Sequence, residues 1–304
     1  METTLLFKTT LILTFELGIV FGLCIYFLKA AKKLVMSGKP FLGIHFRHAV
    51  NMNNEIDLIP DPTKSIDYPR KLSKREYVEQ SQNKKMSIFS RKKKKYVIKQ
   101  VVARNREIAI AYLKKGYRDD LQMPKSIFII TILWFFLSFG LFISSIVPPY
   151  EYYIHVGMTL FTLTNICFAP LLGWCMLMMD ENDGVRALKI TLIVTFIAGF
   201  IGYSDFYSFA QNEYLILIMV ILLFALVIFS FANLVRGFSR ATTRYVAIGG
   251  AILFTLFIIV DYNRLIYLED LNINDWNTAF YMSYTIYLDI INLLLKILDA
   301  MGNS

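Results

Sequence analysis

Two aspartates lie inside the last two apolar stretches of this 304-residue chain. Asp261 is near the end of AILFTLFIIVDYNRLIY, and Asp289 is in the middle of AFYMSYTIYLDIINLLLKIL. A carboxylate in hydrocarbon is costly, so an acid held there normally pairs with something or works on something. Two acids on neighbouring helices have three chemical uses. They can share a proton and so respond to pH. They can hold a cation such as Ca²⁺, which prefers oxygen ligands. They can divide into a catalytic acid and base. The first two uses suit a channel or a proton-coupled carrier, and the third suits an intramembrane aspartyl protease. Such a protease would carry Y-D in one span, G-x-G-D in the next and P-A-L in a later one. Here the first acid reads V-D-Y, the second reads Y-L-D without a glycine, and no apolar stretch follows. The protease reading fails at all three points.

The residues around the pair refine this. On a helical period Thr285, Asp289, Asn292 and Lys296 share one face, while Ile290, Leu294 and Leu298 share the opposite one. The last span therefore carries a polar stripe that must face other helices or water. Arg264 follows Asp261 by three residues, so Asp261 is either an interfacial acid paired with Arg264 or half of a functional pair. For Asp289 the structural alternative is neutralisation by Lys296 or Asn292. Glu16, in ILTFELGIV, is a third acid in an apolar stretch, with no partner evident in the sequence. Asn165 and Asn233 read as hydrogen-bonding cross-links between helices. Cys24, Cys167 and Cys175 show no metal-ligand spacing and read as packing residues. His45 and His48 lack a third ligand. No nucleotide-binding loop, metal-ligand cluster or serine triad stands out. The chain is expected not to be an enzyme and to need no cofactor, Ca²⁺ at Asp261 and Asp289 being the one metal to consider.

The elements that must position these residues are membrane spans. The chain is 56% hydrophobic with a mean hydropathy of +0.50, too apolar for an ordinary soluble protein. Crossing about 30 Å of hydrocarbon takes about 20 mostly apolar residues. Seven such stretches occur, at roughly 4–28, 126–148, 153–179, 187–204, 214–235, 245–262 and 277–298. Each is predicted to be a helix, because a span must satisfy its own backbone hydrogen bonds. The expected architecture is an all-α integral membrane protein in three parts: a first transmembrane helix (1–30), a basic, partly helical soluble loop (31–125) and a six-helix membrane domain (126–304). Loop 31–125 holds 23 Lys and Arg against 9 Asp and Glu, a net +14, which leaves −5 for the rest of a +9 chain. A helix is expected over about Lys94–Lys115. The run from Arg91 to Lys95, with Lys92, Lys93, Lys94 and Lys95, could attract anionic lipid head groups or a protein partner. The alternative is a solvated loop whose charge fixes topology, and nucleic acid is not expected as a partner. Arg186, Lys189, Arg236, Arg240 and Arg244 fall on the same side as this loop, so the positive-inside rule predicts a cytoplasmic loop and C-terminus. In a bacterium the membrane would be the plasma membrane.

The closing stretch Ser283–Leu298, SYTIYLDIINLLLKIL, resembles the signature L-Y-L-D-x-I-N-L-F-x-x-L-L of the Bax inhibitor-1 family. Tyr287, Leu288, Asp289, Ile291, Asn292, Leu293 and Leu295 fit it. Asp261-Tyr262-Asn263-Arg264 resembles the family's D-T-x-x-I element, and Asn233-Leu234 its fifth-span V-N-L-F. The similarity covers about 153–300. It implies seven helices with one at the centre, and an aspartate pair, here Asp261 and Asp289, acting as a pH-sensitive latch on a Ca²⁺ leak. The family also implies a basic partner for the pair in an early span. No Lys or Arg lies inside the second or third span here, and Lys296 is the substitute the sequence offers. The long loop after the first span is a further departure.

Overall fold

The computed structural model describes residues 3–50, 55–60, 70–79, 94–119, 124–146, 153–179, 181–204, 206–236 and 238–302. It forms two compact units: residues 1–31, 50–57 and 127–304, and residues 32–49 and 58–126.

The first unit is built from long helices: α1 (Leu5–Met36), α3 (Lys125–Ile146), α4 (Tyr153–Met179), α5 (Glu181–Tyr203), α6 (Glu213–Arg236), α7 (Arg240–Asp270) and α8 (Trp276–Gly302). All except α8 are long and apolar enough to cross a membrane. Seven spans are expected from the sequence, and the reason α8 differs is its position. α6 is the most apolar of the set and the least buried, with α3 close behind. Their exposed residues, such as Phe135, Phe136, Phe224 and Phe231, present the surface a bilayer would cover. α8 is the opposite case. Phe280, Ile286, Ile290 and Leu294 are fully buried on it. It packs against α4, α5 and α7, and the Ser283 hydroxyl donates to the Thr9 carbonyl of α1 at 2.8 Å. Phe161 of α4 stands edge-on to Phe280, Tyr284 and Tyr287. A helix shielded by its neighbours can carry tyrosine, asparagine and aspartate at lower cost than one facing lipid.

α5 and α7 touch through Gly202, where an added Cβ would lie 2.3 Å from the Ile259 carbonyl oxygen. Only a residue without a side chain permits that approach. Asn263 fastens the same region: its amide donates to the Gly202 and Tyr207 carbonyls, and its oxygen accepts from the Ala210 N–H.

The second unit contains a three-stranded sheet in the order β4-β3-β5. β3 (Arg70–Glu79) runs antiparallel to β4 (Lys94–Ala103) in a register from Arg70↔Ala103 to Glu79↔Lys94. β5 (Arg118–Asp119) pairs on its other side. Helix α2 (Arg106–Lys114) covers a small core of Leu72, Ala103 and Ala109, with Val101, Tyr112, Leu113 and Tyr117 packed around it. A separate ladder pairs β1 (Phe46–Val50) with β2 (Ile56–Pro60). The helix expected over Lys94–Lys115 is therefore corrected: its first half is strand β4. Tyr96, Val97, Ile98, Val101 and Val102 are β-formers, and β3 offers a ten-residue partner. The helix begins only after Asn105, whose side chain accepts from the Ile108 N–H. Lys92 and Lys93 lie outside the described residues, and Lys94 and Lys95 open β4.

Candidate functional site

α7 and α8 form an antiparallel hairpin across a five-residue connection. Asp275 caps the second helix. Its carboxylate accepts from the Thr278 N–H at 2.8 Å and the Thr278 hydroxyl at 2.7 Å, and its carbonyl accepts the first helical bond from the Ala279 N–H. Partial burial alone would push this carboxyl up. The Thr278 bonds outweigh it and hold Asp275 below its ordinary value.

The hairpin sets the register of the two acids. Asp261 lies nine residues before the end of α7, and Asp289 lies thirteen residues after the start of α8. At about 1.5 Å per residue, they fall within about one turn of each other along the axis. The side chains complete the approach: Asp261 and Asp289 lie within hydrogen-bonding reach of each other. Two carboxyls form such a bond only when one carries a proton. Asp261 is buried, at 7% exposure, and its Oδ2 has no hydrogen-bond partner. Asp289 is half-buried.

The charges around the pair are sparse. Arg264 is exposed, and its charge reaches Asp261 without a close ion pair. Lys296, the substitute partner suggested by sequence, turns instead to Asp299 one turn on, at 4.0 Å, and its methylenes pack on Gly250 of α7. Asn292 is half-buried on the same stripe. Among the described residues neither Asp261 nor Asp289 forms an ion pair, and no third His, Cys, Asp or Glu joins them.

Two other polar positions resolve differently. Asn233 is expected to cross-link helices. Its oxygen instead accepts from the Phe238 N–H at 2.9 Å, just past the end of its own helix. It sits too near the helix terminus to reach across, and a free backbone N–H is closer. Glu16, by contrast, gains the partners its sequence does not reveal. The Thr162 hydroxyl donates to its Oε1 at 2.6 Å and the Asn165 amide to its Oε2 at 2.8 Å, tying α1 to α4. Thr162 was not visible as a site residue; its one signal is a spacing of three from Asn165, which puts both on one helical face. Cys24, Cys167 and Cys175 are free thiols, and Cys24 lies 3.6 Å from the Met176 sulfur.

A multi-pass helical protein with a central last helix and two acids facing each other on its closing hairpin is the class that fold and site define. The chain matches the family described as Inhibitor of apoptosis-promoting Bax1 over residues 102–304. It belongs to that family, and the match extends beyond the motifs legible at 153–300 to take in α2. No curated protein matches the chain closely enough to count as a relative.

Proposed function

We propose that the chain is a non-enzymatic, pH-sensitive Ca²⁺ or H⁺ leak, or a regulator of ion homeostasis, with Asp261 and Asp289 as the responsive pair. The observation that carries this is the approach of the two carboxyls on α7 and α8, with Asp261 buried and one of its oxygens unpartnered. A shared proton bridges the pair and holds the helices together. Loss of that proton sets two like charges side by side, which favours either their separation or a bound cation. Two carboxylates supply fewer oxygens than the roughly six to eight that Ca²⁺ takes in a closed site. With no third acidic or imidazole ligand among the described residues, the pair suits a cation in passage more than a resident one. The test is Ca²⁺ flux into proteoliposomes for wild type and Asp289→Asn, between about pH 6 and 8. Wild-type flux is expected to change with pH and the variant's to be nearly flat. Identical profiles would remove the pair from the mechanism.

A second reading has its own support. Residues 32–49 and 58–126 form a compact unit with a buried core, which is more than a solvated connection needs. In this reading the unit binds a protein partner or anionic lipid. Its test is vesicle binding with and without anionic lipid, compared between the full chain and one with Lys92–Lys95 neutralised.

A further inference from the structure

A groove lies on the side of the α7–α8 hairpin that faces α1 and α5. Those two helices wall it without packing closely on each other, and Tyr262 of α7 and Ile290 of α8 close its inner side. Its volume is about 380 Å³ and its lining is almost wholly apolar. Along α1 it runs from Leu6 to Leu17, and along α5 from Tyr203 back to Leu192. Each wall is eleven residues long, about 16 Å at 1.5 Å per residue. Gly199 keeps the α5 wall low on the inner side, where an added Cβ would lie 3.1 Å from the Tyr262 ring. On the rim Phe196 and Phe200 are 77% and 72% exposed, so the opening faces whatever surrounds the spans.

Length, width and lining each narrow the occupant. Bilayer hydrocarbon is about 30 Å thick, so one leaflet contributes about 15 Å. The groove matches that depth, and it starts where the spans start: Leu6 is the second residue of α1 and Tyr203 the last of α5. It therefore runs from the membrane edge to about the midplane. Its edge end is on the side of the α7–α8 connection, where Glu269 accepts from the Leu6 N–H at 2.9 Å. Volume over length gives a mean cross-section of about 24 Å². A helix about 10 Å across needs about 80 Å², so a helix of a partner or of a second copy is too wide to enter. A cavity of about 150 Å³ accommodates benzene, so 380 Å³ takes a single chain of roughly fifteen carbons. No charged residue lines the groove, which suits hydrocarbon along its whole length.

We propose that this groove holds one acyl tail of a bilayer phospholipid, from the leaflet on the side of the α7–α8 connection. The tail lies lengthwise between α1 and α5, with its methyl end near Leu17 and Leu192 and its ester end near Leu6 and Tyr203. A free fatty acid shares the tail chemistry, but the lining offers no cation for a bare carboxylate. A phospholipid keeps its head group at the membrane surface and enters sideways from the bilayer. Tyr262 follows Asp261 and Ile290 follows Asp289 in the chain, so the tail rests on the hairpin that carries the acid pair. The site stands or falls apart from the proposed leak, because its test reads lipid contact and not flux.

The test is photolabelling of the full chain in phosphatidylcholine nanodiscs doped with phosphatidylcholine that carries a diazirine on one acyl tail. Adducts are located by peptide mass spectrometry. They are expected on Tyr262 inside the groove and on Phe231 of α6, which is 67% exposed and reports ordinary surrounding lipid. Thr14→Trp fills the groove from the α1 wall and Leu192→Trp from the α5 wall. Both side chains are exposed, so the melting temperature is expected to be retained. Each variant is expected to lower Tyr262 labelling at least about tenfold while Phe231 labelling stays constant. If one variant fails to fold, the other carries the test. No adduct on Tyr262 in the wild type, or Tyr262 labelling that persists in a folded filled variant, overturns the proposal. Stronger labelling of Tyr262 by a diazirine-bearing free fatty acid at the same mole fraction overturns the phospholipid as the source of the tail.

Discussion

Asp275 shows how one residue sets up the site without touching it. Its cap fixes where α8 begins and therefore where Asp289 falls against Asp261. Asp275→Ala is expected to cost about 1 kcal/mol, the usual value of an N-cap, read as a lower melting temperature in detergent. The folded carboxyl titrates below its unfolded value, so its contribution is present above the unfolded value and is lost as pH falls through the folded one. Asp275→Asn keeps the cap and should remove that acid-side loss, which melting curves at descending pH would resolve. Asp289 was legible in the sequence because its polar stripe and Y-L-D-I-I-N setting are local features. Glu16 stood out as an acid in an apolar stretch, but its partners did not: Thr162 and Asn165 lie 146 and 149 residues away, and nothing local couples them.

At the scale of elements, the helices follow from apolar length alone, because hydrocarbon allows few other solutions. The central place of α8 is harder to read, since tyrosine, asparagine and aspartate within it can mean either a weak span or a well-shielded one. Its buried Phe280, Ile286 and Ile290 decide for shielding. Local pattern does not single out strand β4, because Val97 and Val101, with Ile108 beyond the strand, also fit an interrupted helical stripe. Its pairing with β3 is a tertiary fact that overrides the local pattern. The α5–α7 contact gives a sharp prediction. Gly202→Val must push Ile259 away, and overpacking of this kind costs about 1–3 kcal/mol. Because α7 carries Asp261, the same variant is expected to disturb pH-dependent flux as well as thermal stability. A variant that melted like wild type would show that the helices are not in contact there.

At the scale of the whole molecule, charge and burial make a joint prediction about topology. If α8 crosses the membrane with the other six long helices, residues 31–125 and the C-terminus lie on one side. Single cysteines placed in each should react with an impermeant reagent from the cytoplasmic face only, in a background with the three natural cysteines replaced. Labelling of the two from opposite faces would mean that α8 does not span. Replacing most of residues 39–123 by a flexible linker is expected to leave flux and its pH response intact, because the acid pair is built by α7 and α8. Loss of flux in a folded variant would move the function toward the basic unit.

The central claim is that Asp261 and Asp289 act as one unit, and a double-mutant cycle tests it most directly. Proteoliposome Ca²⁺ flux would be compared for wild type, Asp261→Asn, Asp289→Asn and the double variant across pH. Groups that share one proton or one cation are strongly non-additive. The double variant is predicted to show no larger change than the more severe single one, with the pH response already flattened in each. Independent, additive effects of the two substitutions would contradict the account.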